Sequence, residues 1–475
     1  MSAPSTTARS AAAHWLALTV VLAGAFLPPV DFFIVNVALP SIHLSLGASP
    51  AELQLVISAY SAGYAVLLIT GGRLGDLFGR RRLFLIGMAG FTITNLLCGL
   101  AATPVQLLSG RALQGICAAL LVPQTLGSIR ALCGDDRQLA QALSAYGVMM
   151  GLAGMTGQFL GGALVQWSPF DLGWRAVFLL KLPICLLVLG AAWRLLPETS
   201  APSRAKLDLA GAALVSLALA CVIVPLSEGR DQGWPLWVFA VLASVPLLIV
   251  AFLRHETNLA RRGGMPLVDL SLFEIPSFRR GVLVSTLFFF TVSFYFLFGI
   301  YQQEGRGLDP LETGLAIAPY GVGLFFGPLA GAPFVRLRSK LLAIGMCIQV
   351  VGYAAIGALV ALDIDNGLLP AAVLIAGFGQ GIAFPRLYNT VLGDVPPQQA
   401  GLASGIVNSA LQVGASVSAA AIGSLFFTML GHASGERDYA YAFAIAQATL
   451  TVGLFAAMLI SIPPRRERAR GRSGF

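Results

Sequence analysis

Predominantly apolar stretches, most of them about 20 residues or more, recur along the whole chain. They fall at residues 14–39, 53–72, 83–102, 105–129, 140–166, 174–195, 208–227, 234–253, 280–301, 312–335, 341–361, 368–392, 400–429 and 438–462. Inside a bilayer a backbone amide or carbonyl finds no water, so a crossing segment must be a helix or a strand of a closed barrel. Barrel strands alternate apolar and polar positions over roughly ten residues, and these runs do not. The expected fold is therefore all-α and polytopic, with fourteen transmembrane helices. Composition excludes the soluble alternative: 11% of residues are charged, against about 25% in soluble domains.

Basic residues give the orientation. Of the 30 Lys and Arg, 23 lie in the two tails or in the loops after even-numbered stretches, three (Arg230, Arg306, Arg437) lie on the other side, and four fall within or at the edge of stretches. The positive-inside rule then places both termini in the cytoplasm, with the chain in the inner (plasma) membrane and the first stretch uncleaved. The net charge of +8 is sorted by side of a membrane, which argues against nucleic acid as a partner. The six cysteines form no Cys-x-x-Cys pair, the four histidines are far apart, and none of the three lysines follows a glycine. No metal, no cofactor and no enzyme activity is expected, since neither a metal-ligand spacing nor a phosphate loop is present. Every loop is too short for a soluble catalytic domain.

A weak internal repeat supplies the domain plan. Gln114-Gly115-Ile116 in the fourth stretch recurs as Gln380-Gly381-Ile382 in the twelfth, and Ala140–Ser144 with Gly154 recurs as Ala400–Ser404 with Gly414. The expected organisation is a cytoplasmic tail (1–13), a six-helix bundle (14–195), two linker helices (208–253), a second six-helix bundle (280–462) and a basic tail (463–475). Parallel repeats of this kind are a transporter architecture with a site between the halves.

Asp31 is the only acid in the interior of a membrane stretch, the others lying at stretch ends, and it follows Pro28-Pro29. An ionised carboxylate there is costly unless paired or protonated, so Asp31 is expected to exchange a proton, beside a helix that the prolines interrupt. Arg111, at a compatible depth in the fourth stretch, is the expected partner. Its approach would expel a proton from Asp31 and its withdrawal would favour uptake, because arginine stays charged. After the second stretch comes Gly72-Arg73-Leu74-Gly75-Asp76-Leu77-Phe78-Gly79-Arg80-Arg81-Arg82. Its glycines permit a tight turn, and Arg80 is placed to pair with Asp135 or Asp136.

That loop is similar to the signature of the major facilitator superfamily. Asp31 to Pro40 resembles the first-helix motif of the fourteen-spanner drug:proton antiporters, and Arg111-Ala-Leu-Gln114-Gly115 resembles their fourth-helix motif. Asp208-Leu-Ala-Gly211 and Gly401-Leu-Ala-Ser404-Gly405 with Gln412 extend the likeness over residues 14–462. The resemblance implies alternating access, proton coupling at Asp31 and Arg111, and a cytoplasmic gate of Gly72, Asp76, Gly79, Arg80, Arg81 and Asp136 that latches onto the thirteenth helix. The stripe Gly147, Gly151, Gly154, Gly157 and Gly161 in the fifth stretch also resembles the antiporter motif, with Gln158 where a proline is expected.

Candidate substrate-cavity residues are Gln114, Lys181, Tyr295, Phe298, Gln380 and Gln412. For Lys181 and Arg386, snorkelling to the interfaces is the simpler expectation; facing the cavity, Lys181 would favour anionic or zwitterionic substrates. The ninth stretch is aromatic all round, which points to lipid packing more than to stacking on a ligand. The expected function is proton-coupled export of small amphipathic organic compounds by a monomer in the lipid bilayer. The alternatives are a dedicated exporter or proton symporter for one metabolite, and a non-transporting membrane sensor.

Overall fold

The computed structural model of the protein describes residues 11–462 apart from 134, 199–207, 230–231, 265, 332–339, 365–366, 397–398 and 432–434. The expected tail 463–475 and most of the tail 1–13 lie outside these residues. No strand occurs among the described residues. The helical segments are α1 (Ala11–Leu46), α2 (Pro50–Phe78), α3 (Arg80–Gly99), α4 (Pro104–Leu132), α5 (Asp136–Trp167), α6 (Gly173–Leu195), α7 (Leu209–Glu228) and α8 (Leu236–Arg261). They continue with α9 (Pro276–Gly305), α10 (Pro310–Gly331), α11 (Leu341–Ala361), α12 (Leu369–Leu392), α13 (Ala400–Leu430) and α14 (Glu436–Ser461).

Among the described residues twelve helices are long and apolar enough to cross a membrane, two fewer than the fourteen expected. The count omits α5 and α12. Gly377, Gly379, Gln380, Gly381, Pro385 and Arg386 dilute the apolar character of α12, and several side chains of α5 lie outside the described residues.

Local sequence explains where the helices start and stop. Ser49 accepts from the Glu52 amide while Glu52 accepts from the Ser49 amide at 2.7 Å, and Pro50 opens the first turn of α2, a complete capping box. Thr103 caps α4 by accepting from the Gln106 amide at 3.3 Å, ahead of Pro104. Gly79, at φ 99°, separates α2 from α3 in a conformation few side chains tolerate. The expected interruption of α1 does not occur: the helix runs through Pro28 and Pro29. Its packing against α4, α5 and α6 keeps it helical through the two missing amide donors.

Two sets of helices pack internally. In the first, α2 and α3 lie on α4 and α1 lies on α5; in the second, α10 and α11 lie on α12, α9 on α13 and α11 on α14. The sets meet along two seams, α2 with α13 and α5 with α10. Helix α7 covers the first seam, touching both α2 and α13, through a small apolar cluster of Ala65, Leu219, Ile223 and Ala420. Helix α8 packs on α7, and almost all of it faces outward, with 6% of its span buried.

The repeat is visible as a duplicated helix crossing. Gly115 of α4 lies against the Tyr60 carbonyl of α2, and Gly377 of α12 lies against the Tyr320 carbonyl of α10. The same pairing joins Gly63 to Ala112 and Gly323 to Leu374. The structural counterpart of Gln114-Gly115 is thus Ala376-Gly377, one turn before the Gln380-Gly381 expected from the motif match. Only glycine allows backbones this close.

A Cβ at Gly115 or Gly377 would meet a carbonyl oxygen that cannot move aside, whereas Gly190 has open space around it. Gly115→Val and Gly377→Val are each expected to destabilise the protein by about 1–3 kcal/mol or more, read as a lowered unfolding temperature of the purified protein in detergent. Gly190→Val should leave that temperature unchanged.

Candidate functional site

The interior of the first helix set holds a charge cluster sealed from solvent. Asp31, Arg111 and Gln114 are 0% exposed and Lys181 is 6% exposed. Arg111 Nη1 donates to Asp31 Oδ2 and to Gln114 Oε1, each at 2.6 Å, and its Nε donates to the Val56 carbonyl at 3.2 Å. Gln114 Nε2 donates to Asp31 Oδ1 at 3.1 Å, and Lys181 Nζ donates to the same oxygen. The Arg111 guanidinium lies 4.4 Å from the centre of the Tyr60 ring, and the Tyr60 hydroxyl donates to the Pro28 carbonyl at 3.2 Å. One side chain each from α1, α2 and α6 and two from α4 converge here.

Lys181 is delivered by a break in α6. The helix ends after Ala176–Leu179 and resumes at Leu182, where Pro183 in the first new turn has no amide to continue the ladder. Lys181 sits at that joint, with Nζ 5.2 Å from the centre of the Phe178 ring. It does not snorkel. A carboxylate at bonding distance satisfies the ammonium without the long reach to the interface, and distance along α6 reports depth, not the direction of the side chain.

In the second helix set the corresponding core is polar but uncharged. The Tyr320 hydroxyl donates to Gln380 Oε1 and shares a hydrogen bond with Tyr353 Oη at 2.8 Å, while Gln349 Nε2 donates to Gln380 Oε1 at 3.1 Å. Tyr295 and Phe298 are buried beside it: the Tyr295 ring centre is 5.1 Å from that of Tyr320, and Phe298 is 5.1 Å from Phe294. The aromatic residues Phe288, Phe294, Tyr295, Phe296 and Phe298 of α9 therefore pack inward and not against lipid, because α9 is enclosed by α13, α14 and α1. Gln412 is half-buried on α13 and is not brought to either cluster.

The two sets touch at points between α1 and α9. The Phe33 and Tyr295 ring centres are 4.9 Å apart, and Gln303 Nε2 donates to the Val37 carbonyl at 2.9 Å. On α5, Gly157 and Gly161 lie against the backbone of α1 between Val30 and Ile34, Gly162 lies against Pro310 of α10, and Gly154 lies between Phe33 and Leu324. Gln158 is 2% exposed, and neither of its amide atoms has a partner among the described residues. The positions Gly147 and Gly151 lie outside the described side chains.

The segment expected as a loop after the second stretch is helical up to Phe78, so that Gly79 alone separates α2 from α3; the side chains of Asp76 on α2 and Asp136 at the start of α5 lie outside the described residues. Arg80 Nη1 donates to the Gly127 carbonyl of α4 at 3.1 Å; its expected pairing with Asp136 lies outside the described side chains. Asp135 caps α5 through the Gln138 amide at 2.7 Å. Glu198, which no motif singles out, accepts from the Arg81 amide at 3.2 Å and lies 3.6 Å from Arg82. Arg81 also donates to the Trp193 carbonyl. Gly72 and Gly79 allow the approach of Pro123 and Glu198.

A second group is also invisible to sequence reasoning. Asp208, His255 and Glu256 bring their ligand-type atoms within 4.8 Å of one another, although the sequence separates the first from the others. His255 Nε2 is 2.8 Å from Asp208 Oδ1, the same oxygen caps the Gly211 amide at 2.8 Å, and Glu256 Oε2 accepts from the Val268 amide at 2.7 Å. These bonds staple the start of α7 to the end of α8 and the chain that follows.

Residues 21–419 match the Major Facilitator Superfamily family model. The chain is 38% identical over 427 residues to the probable actinorhodin transporter of Streptomyces coelicolor, covering 88% of this chain and 74% of that protein. It is 31% identical over 425 residues to the tetracenomycin C resistance and export protein of Streptomyces glaucescens, covering 88% and 77%. Among solved structures, a bacterial homologue of the human lysosomal transporter Spinster, inward-facing and unoccupied, superposes with a TM-score of 0.66 at 16% identity over 95% and 97% of the two chains. The human organic anion transporter MFSD10 gives 0.63 at 18% identity over 94% and 99%. With an all-helical fold of this kind and a family match that spans most of its length, the chain belongs to the major facilitator superfamily.

Proposed function

We propose that the protein is a proton-coupled exporter of small amphipathic organic compounds of the antibiotic type, working by alternating access as a monomer. The observation that carries this reading is the sealed cluster of Asp31, Arg111 and Lys181. Ionised groups inside a bilayer persist where they serve ion or proton movement, and this cluster sits in a helix set that meets its counterpart along two seams. Export, as against uptake, is supported by relatives whose names are those of antibiotic exporters.

In this reading the two sets, residues 14–195 and 280–462, rock about the α2–α13 and α5–α10 seams, with 208–253 as linker. The close α1–α5 and α5–α10 contacts at Gly157, Gly161 and Gly162 are the sliding surfaces. We also read the chain as a fourteen-spanner with both termini cytoplasmic. The lengths of α5 and α12, 32 and 24 residues, support two further crossings, since about 20 helical residues span the hydrocarbon. The driving force is adequate: each elementary charge crossing 100 mV supplies about 2.3 kcal/mol. Gly72 and Asp76 near the end of α2, Gly79, Arg80 and Arg81 at the start of α3, and Asp136 at the start of α5 act as the cytoplasmic gate, with Glu198 as an added anchor for the arginines.

In inverted membrane vesicles carrying the protein, tested against a panel of cationic, neutral and anionic aromatic compounds, a proton gradient should drive accumulation of part of the panel. Asp31→Asn is expected to reduce that accumulation to the level of vesicles without the protein, while leaving membrane insertion intact; unchanged accumulation would end the assignment. Arg111→Lys keeps the charge but cannot reproduce contacts to Asp31, Gln114 and Val56 together. Loss of one charge-assisted bond of about 1.5–3 kcal/mol corresponds to a fall in initial transport rate of roughly tenfold to a hundredfold, measured in the same vesicles.

A further inference from the structure

We propose that the proton exchanged during transport is carried by Lys181 Nζ, and that Asp31 stays ionised beside Arg111 throughout the cycle. The proposal rests on the reading of the chain as proton-coupled, and it changes which group does the coupling.

The cluster is a closed space in which the charges can be counted. Arg111 never gives up its proton. With Asp31 ionised and Lys181 an ammonium, two cations share one carboxylate at bonding distance, and the cluster carries one uncompensated positive charge. Protonating Asp31 would leave two cations with no counter-ion, the least favourable arrangement in a low-dielectric interior. Removing a proton from Lys181 leaves the Asp31–Arg111 pair and a neutral amine, with no net charge. The one-proton step that ends at electrical neutrality is therefore the step at Lys181.

The surroundings offer no other way to balance the extra charge. Lys181 is faced by Asp31 from α1, by Arg111 and Gln114 from α4, by Cys98 from α3, and by Cys185 and Phe178 from α6 itself. From α2, Tyr60 stacks on Arg111 and donates its hydroxyl to the Pro28 carbonyl. The charged residues of α5, Asp136 and Arg137, and its Tyr146 belong to the first part of that helix, away from the end that meets α6. Asp31 is thus the only carboxylate among these groups, and it is already engaged by Arg111 Nη1 and Gln114 Nε2.

The cycle then needs no change at Asp31. On the outer side, water delivers a proton to the Nζ lone pair, and the new ammonium closes onto Asp31 Oδ1. On the cytoplasmic side the N–H bond breaks, the proton leaves to water and the lone pair stays on Nζ. The break in α6 at Leu180–Lys181 gives the side chain a local joint on which to make and release that contact.

The chain contains three lysines, Lys181, Lys206 and Lys340, which makes a direct measurement possible. Full-length protein carrying Lys206→Arg and Lys340→Arg, isotopically labelled at lysine Nζ and placed in lipid nanodiscs, reports Lys181 alone by NMR. Across the neutral pH range its resonance should move between the ammonium and amine positions, while a label at Asp31 Cγ stays at the carboxylate position. A Lys181 resonance that keeps the ammonium position over that range, or an Asp31 signal that moves to the acid position, overturns the proposal. As a second readout, Lys181→Gln protein should take up one proton fewer than the unsubstituted protein over the same range; equal uptake also overturns it. Neither measurement involves a transported compound, so a failed vesicle panel would sink the exporter reading alone, and a failed titration would sink the lysine proposal alone.

Discussion

Hydrocarbon does not solvate an ionised carboxylate, and the interior of the first helix set is arranged around supplying Asp31 with what water would have given it. Its two oxygens receive donors from Arg111, Gln114 and Lys181, and Arg111 is itself anchored by the Val56 carbonyl and by Gln114. Breaking a buried pair by removing one partner typically costs about 3–5 kcal/mol, which is comparable to much of the stability of a folded domain. Helices α1, α2, α4 and α6 are consequently tied at one point within the helix set, and any movement between helix sets must carry that point as a unit or change its protonation.

The second helix set repeats the backbone plan without the charges. The Gly115–Tyr60 and Gly377–Tyr320 crossings are equivalent, yet Tyr320, Tyr353, Gln349 and Gln380 form a neutral network in a core lined with aromatic rings. Duplicated geometry with unequal chemistry divides the labour in the proposed cycle: one half answers to the proton gradient, and the other offers flat rings and amides suited to an amphipathic solute. The Phe33–Tyr295 contact is where the two chemistries touch.

Much of this is legible in the amino-acid sequence because membrane insertion imposes one-dimensional rules. Helix length follows from bilayer thickness, so the depths of Asp31 and Arg111 can be compared by counting residues, and the two meet at 2.6 Å. Direction around a helix is harder to read when apolar residues occupy all sides, which is why Lys181 reads as an interface residue and the rings of α9 as lipid-facing. Prolines at 28 and 29 suggest a broken helix, but tertiary packing overrides them in α1, whereas Pro183 does coincide with a break in α6. The gate segment is recognisable by its glycines and arginines, but a local motif cannot point to the α4 carbonyl and Glu198 that are among the groups those arginines meet. Repeat register slips by one turn because Gln-Gly-Ile recurs by coincidence near the true counterpart, and small residues at every fourth position make such slips easy.

Helix α7 rests on both α2 and α13 while α8 rests mainly on α7. One flank of the joint between the halves is thereby roofed over by protein, and in the proposed cycle this roof would keep acyl chains from wedging into it. The opposite flank, where α5 meets α10, has no such cover among the described residues. In the proposed cycle a greasy solute dissolved in the membrane would therefore have a sided approach to the interior, and a fourteen-helix layout would differ from a simpler twelve-helix one in closing the other entrance.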